Sequence, residues 1–124
     1  MKTILTSNAP APIGPYSQAI LAGNMLYCSG AIPVDPVSGD VPEGIAAQTE
    51  LAIANLSAVL QAAGTGFSNV VKTTCFLTNM GDFAEFNSIY AKYFTSAPAR
   101  SCVAVAALPK GVSVEIEAVA VIEN

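Results

Sequence analysis

The chain has 124 residues, enough for one domain, 1–124, with a single core. Nine acidic residues against five basic ones give a net charge of −4 and no basic run, which argues against nucleic acid as the main partner because nothing neutralises phosphates. Histidine is absent and the three cysteines, Cys28, Cys75 and Cys102, lie far apart, so the usual zinc sets cannot be assembled and any catalysis falls to carboxylates, Tyr, Cys, Lys or water.

Hydrophobic residues make up 52% of the chain and mean hydropathy is +0.52. Even so, no apolar run reaches the roughly 20 residues that span a bilayer, and the opening segment is too short and too weakly apolar for a signal peptide. The expectation is a cytoplasmic protein with free thiols and no membrane partner. Part of its apolar surface is expected to be buried between subunits.

In chain order, Lys2–Thr6 reads as a short strand and "NAPAPIGPYS" as an irregular Pro-rich loop. Ser17–Ala22 and Met25–Ser29 read as strands joined by a hairpin turn at Gly23-Asn24. "VDPVSGDVP" is a second turn-rich loop. From Glu43 to Ala63 apolar residues recur at three- and four-residue spacing, which predicts a helix stopped by Gly64. "NVVKTTCFLT" has the β-branched content of a buried strand. "GDFAEFNSIYAKYF" predicts a second helix, with Asp82 and Glu85 as a capping box and Phe83, Phe86, Tyr90 and Phe94 as its apolar face. The order of elements implies an α+β fold with both helices on one face of a single sheet.

The last stretch, "PARSCVAVAALPKGVSVEIEAVAV", predicts two strands joined as a hairpin. Side chains alternate across a strand. Val114, Ile116, Ala118, Ala120 and Ile122 then face the helices, and Ser113, Glu115, Glu117, Val119 and Val121 face away. In the preceding strand Val103, Val105 and Ala107 are expected in the core. With Leu108 opposite Ser113, the residues Arg100, Cys102, Ala104, Ala106 and Leu108 join Glu115 and Glu117 on the open face. That face is too apolar for water and too polar for a plain core, which suggests a subunit interface holding either a polar site or an ion pair without chemistry. The same register places Arg100 opposite Val121 and Glu115 opposite Ala106, roughly 20 Å apart. A pocket using both then takes them from different subunits.

The motifs "APIGPYSQA", "LYCSGAIPVDPVSGDVP", "FNSIYAKYF", "PARSCVAVAALPKG" and "VEIEAVAV" run over essentially the whole chain. With them the sequence resembles the Rid family, the reactive intermediate (enamine/imine) deaminases formerly called YjgF. The resemblance implies a chorismate-mutase-like α+β fold with a single mixed sheet and two helices on one face. It also implies a homotrimer with pockets between subunits, no metal and no organic cofactor. The implied activity is hydrolysis of 2-aminoacrylate and related enamines or imines to 2-oxo acids and ammonia, which protects pyridoxal-phosphate enzymes. By motif, Arg100 in "PARS" is the carboxylate-binding arginine. Tyr16, Ser29, Gly30, Asn87, Cys102 and Glu115 match other pocket positions. Ala104 and Ala106 depart from the family pattern, where many members carry Glu and Arg.

Chemically, the guanidinium of Arg100 offers a planar fork for a carboxylate. Glu115 is suited to orient a water and carry its proton, and partial burial would raise its pKa as that role requires. Spacing alone does not choose between Glu115 and Glu117; the family motif favours Glu115. Read without the resemblance, Tyr16 serves equally as packing in its loop, Ser29 and Gly30 as a strand end, Asn87 as a solvent-facing helix residue and Cys102 as a small buried hydrophobe. Cys28 and Cys75 belong to the core. Alternatives to the enzyme are a non-catalytic 2-oxo acid sensor, a chaperone-like protein or a ribonuclease-like one.

Overall fold

The computed structural model describes residues 1–123. Its strands are β1 (Lys2–Ile4), β2 (Ala19–Ala22), β3 (Met25–Ala31), β4 (Val70–Leu77), β5 (Ala99–Ala104) and β6 (Val114–Val121), and its helices are α1 (Ile45–Ala62) and α2 (Phe83–Tyr93). They form one six-stranded sheet in the order β1-β2-β3-β6-β4-β5. The β2–β3 hairpin turns at Gly23, whose φ of 62° suits a glycine at the first central position of a two-residue turn. Helix α1 ends where expected: Gly64 has φ 83°, and the Gly64 and Thr65 amides return to the Gln61 and Leu60 carbonyls.

The sheet's helix-facing side carries Leu26 and Cys28 from β3, Thr73, Cys75 and Leu77 from β4, and Val114, Ile116, Ala118 and Ala120 from β6, all buried. Ile53, Leu56 and Leu60 of α1 and Phe86 and Tyr90 of α2 complete this core. The alternation read in the last strand is therefore observed, with Glu115, Glu117, Val119 and Val121 on the open face.

The predicted β5–β6 hairpin is not formed. β4 lies between the two strands, antiparallel to β6 and parallel to β5, with Thr73 opposite Ala118 on one side and Arg100 on the other. The reason is the connection through α2. A crossover helix returns the chain to the starting end of β4, so the next strand can only run parallel to it. The link from β5 to β6 is not a tight turn. It includes a 3-10 turn at Pro109–Gly111, where Lys110 and Gly111 both adopt positive φ.

Two corrections follow for side-chain direction. Arg100 and Cys102 pair in register with the buried Thr73 and Cys75, so they face α2 rather than the open side. Val103, expected in the core, is 44% exposed on the open face, while Val105 and Ala107 lie beyond the strand, half-buried and exposed. The capping box at α2 is also absent: the Asp82 side chain makes no capping bond. Asn79 caps the preceding 3-10 turn instead, its Oδ1 accepting from the Gly81 amide at 2.8 Å.

Candidate functional site

The predicted site residues fall into two clusters on opposite faces of the sheet. The first is built where β3 and β6 meet. Cys28 opposes Ala118 and Ala31 opposes Ile116, so β3 carries one extra residue in this interval. Such a bulge bends the strand and re-aims its side chains. Ser29 and Gly30 occupy it. A Cβ added to Gly30 would stand 2.7 Å from Cδ of Glu115 and overlap its carboxylate. Gly30 thus sets where the Glu115 carboxylate can lie: the missing side chain is the space the carboxylate fills.

Ser29 donates from Oγ to the Ser17 carbonyl at 2.6 Å, which ties the Pro-rich loop to β3. Gln18 secures the same loop from its other end. Its Nε2 donates to the Thr6 and Pro10 carbonyls, and its Oε1 accepts from the Thr6 amide. These bonds hold Tyr16, 51% exposed, at the edge of a cavity of about 680 Å³. Ser29, Gly30, Glu115, Glu117 and Lys110 also line the cavity. Its far wall is fixed by Asn55 of α1, whose Nδ2 donates to the Ile32 and Val34 carbonyls.

Glu115 is half-buried and Glu117 is exposed. Desolvation raises the Glu115 pKa above the ordinary 4.5, and the like charge of Glu117, two residues along the same face, raises it further. The burial that distinguishes Glu115 from Glu117 was not visible in their spacing.

The second cluster surrounds Arg100. Its Nη1 donates to Asn87 Oδ1 at 2.7 Å. Its guanidinium carbon lies 4.7 Å from the Tyr90 ring centroid and 5.5 Å from that of Phe83. Asn87 therefore does not simply face solvent. It sits in the stripe 83, 87, 90 of α2, whose three- and four-residue spacing puts these on one side, with Phe94 continuing it at the C-cap. Cys102 is next on the same face of β5. Its thiol is pushed up by desolvation, with Arg100 pulling the other way; at neutral pH it is protonated and a poor nucleophile. Cys28 and Cys75 are buried free thiols, each pushed up to about 12 by desolvation.

The structure thus brings Tyr16, Ser29, Gly30 and Glu115 together, and Arg100, Asn87 and Cys102 together, but not the two groups. From the observed register, two strand spacings and three residues of rise put the Arg100 and Glu115 Cα atoms roughly 14 Å apart. Their side chains leave opposite faces. Sequence reading missed Tyr90 and Phe83 as partners of Arg100, because an aromatic stripe on a helix reads as core. The one signal was Asn87, a polar residue inside that stripe. Among the described residues no group of three or more His, Cys, Asp or Glu side chains is placed to hold a metal, and no helix is long and apolar enough to cross a membrane.

Comparison with known proteins places this arrangement in a family. Residues 6–122 match the family model described as endoribonuclease L-PSP. The chain is 51% identical over 124 residues to the 2-iminobutanoate/2-iminopropanoate deaminase of Escherichia coli K12, with 97% of each chain covered. The YjgF gene product of E. coli superposes with a TM-score of 0.95 at 49% identity, over 99% of this chain and 100% of that one. E. coli TdcF, solved with bound serine, superposes at 0.96 with 42% identity, over 99% of this chain and 100% of that one. On a family-model match over nearly the whole chain and a relative 51% identical along its length, the chain belongs to the endoribonuclease L-PSP family, the YjgF or Rid family.

Proposed function

We propose that the chain is a hydrolytic deaminase of small 2-imino acids and their enamine tautomers, releasing 2-oxo acids and ammonia. The observation that carries this reading is that a chain 51% identical to a deaminase of that class carries, in two separate clusters, an arginine held in place by Asn87 and a half-buried carboxyl fitted against Gly30. Arg100 binds the substrate carboxylate through its planar fork. Glu115, in its ionised form, takes a proton from water as the oxygen adds to the C=N carbon of the protonated imine, which leaves a neutral carbinolamine and a protonated Glu115. Glu115 returns that proton to the nitrogen, ammonia leaves as the C–N bond breaks and the carbonyl forms, and the hydroxyl proton passes to the again-ionised Glu115 and on to solvent. Tyr16, Gly30, Asn87 and Cys102 border the substrate, and Ser29 holds the Tyr16 loop. No step calls on a metal or an organic cofactor.

Because the two clusters open on opposite faces, the complete site draws Arg100 from one subunit and Glu115 from a neighbour. The open sheet face, with Tyr27 and Val103 about half exposed, is the surface that assembles the homotrimer. Sedimentation at low micromolar concentration tests this. A stable, well-folded monomer would overturn both the interface and the shared site. The setting expected for such an enzyme is the cytoplasm, where it spares pyridoxal-phosphate enzymes from reactive imines.

The deciding experiment generates the enamine in situ and follows ammonia and 2-oxo acid with wild type and Arg100→Ala side by side. Release by the wild type and its loss in the variant support the enzyme. Binding of 2-oxo acid without release supports a sensor. RNA cleavage is disfavoured chemically, as the chain has net charge −4 and no histidine.

A further inference from the structure

We infer that Tyr90 and Phe83 are positioning residues for Arg100: their rings fix the guanidinium before a carboxylate arrives. This rests on the reading of Arg100 as the carboxylate anchor. Arg100 stands on the edge strand β5, which has only one neighbouring strand. A long arginine at such an edge has many rotamers, and ordering it at the moment of binding subtracts from affinity. Here it is ordered in advance. Asn87 takes one N–H at 2.7 Å, and the guanidinium lies over Tyr90 at 4.7 Å and Phe83 at 5.5 Å.

Tyr90 is itself held on several sides. Its hydroxyl shares a 2.7 Å hydrogen bond with Thr73 Oγ1 of β4. Phe94 stacks on its ring with centroids 4.2 Å apart and planes at 18°, which leaves the other face to Arg100. Phe86 tilts against it at 5.7 Å. The ring is 6% exposed, so it cannot swing away without opening the core. Thr73 is also the register partner of Arg100, so one residue of β4 fixes both the backbone of the arginine and the ring beneath its head group. The stacking leaves the guanidinium's remaining N–H groups free to meet a carboxylate edge-on, in the plane of the fork.

The test measures kcat, KM and the affinity for 2-oxobutanoate and for its uncharged carboxamide, using Tyr90→Leu, Tyr90→Phe and Phe83→Leu in the intact oligomer. Tyr90→Leu is expected to raise KM and the 2-oxobutanoate Kd about tenfold, from loss of a partly desolvated cation–π contact. Carboxamide affinity and kcat should change far less. Tyr90→Phe, which keeps the ring, should lose less than Tyr90→Leu. Should Tyr90→Leu fail to fold, Phe83→Leu, on the half-buried rim, decides the matter with an expected rise in KM of about threefold. Equal losses for acid and carboxamide, or unchanged KM in folded Tyr90→Leu and Phe83→Leu, overturn the inference. A wild type that neither binds 2-oxobutanoate nor turns over imine overturns the functional reading and the inference with it. Wild-type activity that Arg100→Ala abolishes and the aromatic variants leave alone overturns the inference only.

Discussion

The two halves of the candidate site are built by different means. Around Arg100 the protein spends packing: a hydrogen-bonded Asn87, two aromatic rings and a buried Thr73 leave the guanidinium little freedom. Around Glu115 it leaves room: a bulge, a glycine in place of any side chain, and a cavity of about 680 Å³. The difference matches the role proposed for each group. A binding cation gains from being fixed in advance. A proton carrier needs an altered pKa and space for water and substrate, which come from partial burial beside a like charge.

Removing the proposed proton carrier is the most severe way to break the comparison. Glu115→Gln is expected to cut kcat by about 10²–10⁴-fold, the range of general acid–base catalysis. The same variant should be at least as stable as wild type at neutral pH. Folding raises the Glu115 pKa, so its stabilising contribution is complete below the ordinary 4.5 and is lost as pH rises through the folded value. Thermal melts at pH 7 check the sign. Arg100→Lys is expected to lose about a hundredfold in kcat/KM in a folded oligomer, since a point charge does not reproduce the fork. Wild-type rates in the lysine variant would refute the anchor.

Mixing the two halves sharpens the picture. Arg100→Ala and Glu115→Ala subunits, each inactive alone, are reassembled in equal amounts. At random, about a quarter of the sites receive both native residues, so recovery should approach that fraction of wild-type activity. No recovery in verified mixed trimers would mean that Arg100 and Glu115 do not act together.

Gly30→Ala tests the room left for Glu115. The new Cβ displaces the carboxylate, and a shift of about 1 Å in a catalytic group costs on the order of a hundredfold. Circular dichroism should show an intact fold. Cys102→Ser is expected to cost less than about tenfold, because a thiol with a raised pKa is not the nucleophile. A loss of several orders would assign it covalent chemistry. The smallest effect is on pH. Activity needs ionised Glu115, so the acid limb of the kcat/KM profile should lie above 4.5, and Glu117→Gln should move it to lower pH by less than about one unit. An unmoved limb would remove Glu117 from the account.

Period and turn chemistry made most of the elements legible. The strands, both helices, the Gly23 turn and the Gly64 stop lie within a few residues of where local pattern puts them, because each is set by neighbours in sequence. The inward face of β6 was equally plain from its strict alternation. What local pattern could not supply was the partner of β5. A short apolar strand followed by Pro-Lys-Gly looks like half of a hairpin. Nothing nearby in sequence says that β4 will take the space between it and β6.

That single choice governs the site. The family motifs singled out Arg100 and Glu115 from the sequence alone, and composition removed histidine and the usual zinc sites from consideration. Only the tertiary structure decided that Arg100 faces α2, and so lies across the sheet from Glu115, whose open side the alternation had already shown. A parallel partner reached through a helix fixes which face an edge strand presents, and β-strand pairing is a long-range contact that a one-residue change of register inverts. The raised pKa of Glu115 belongs to the same class of fact. It depends on how much water the fold removes, and no spacing of charges along a chain records that.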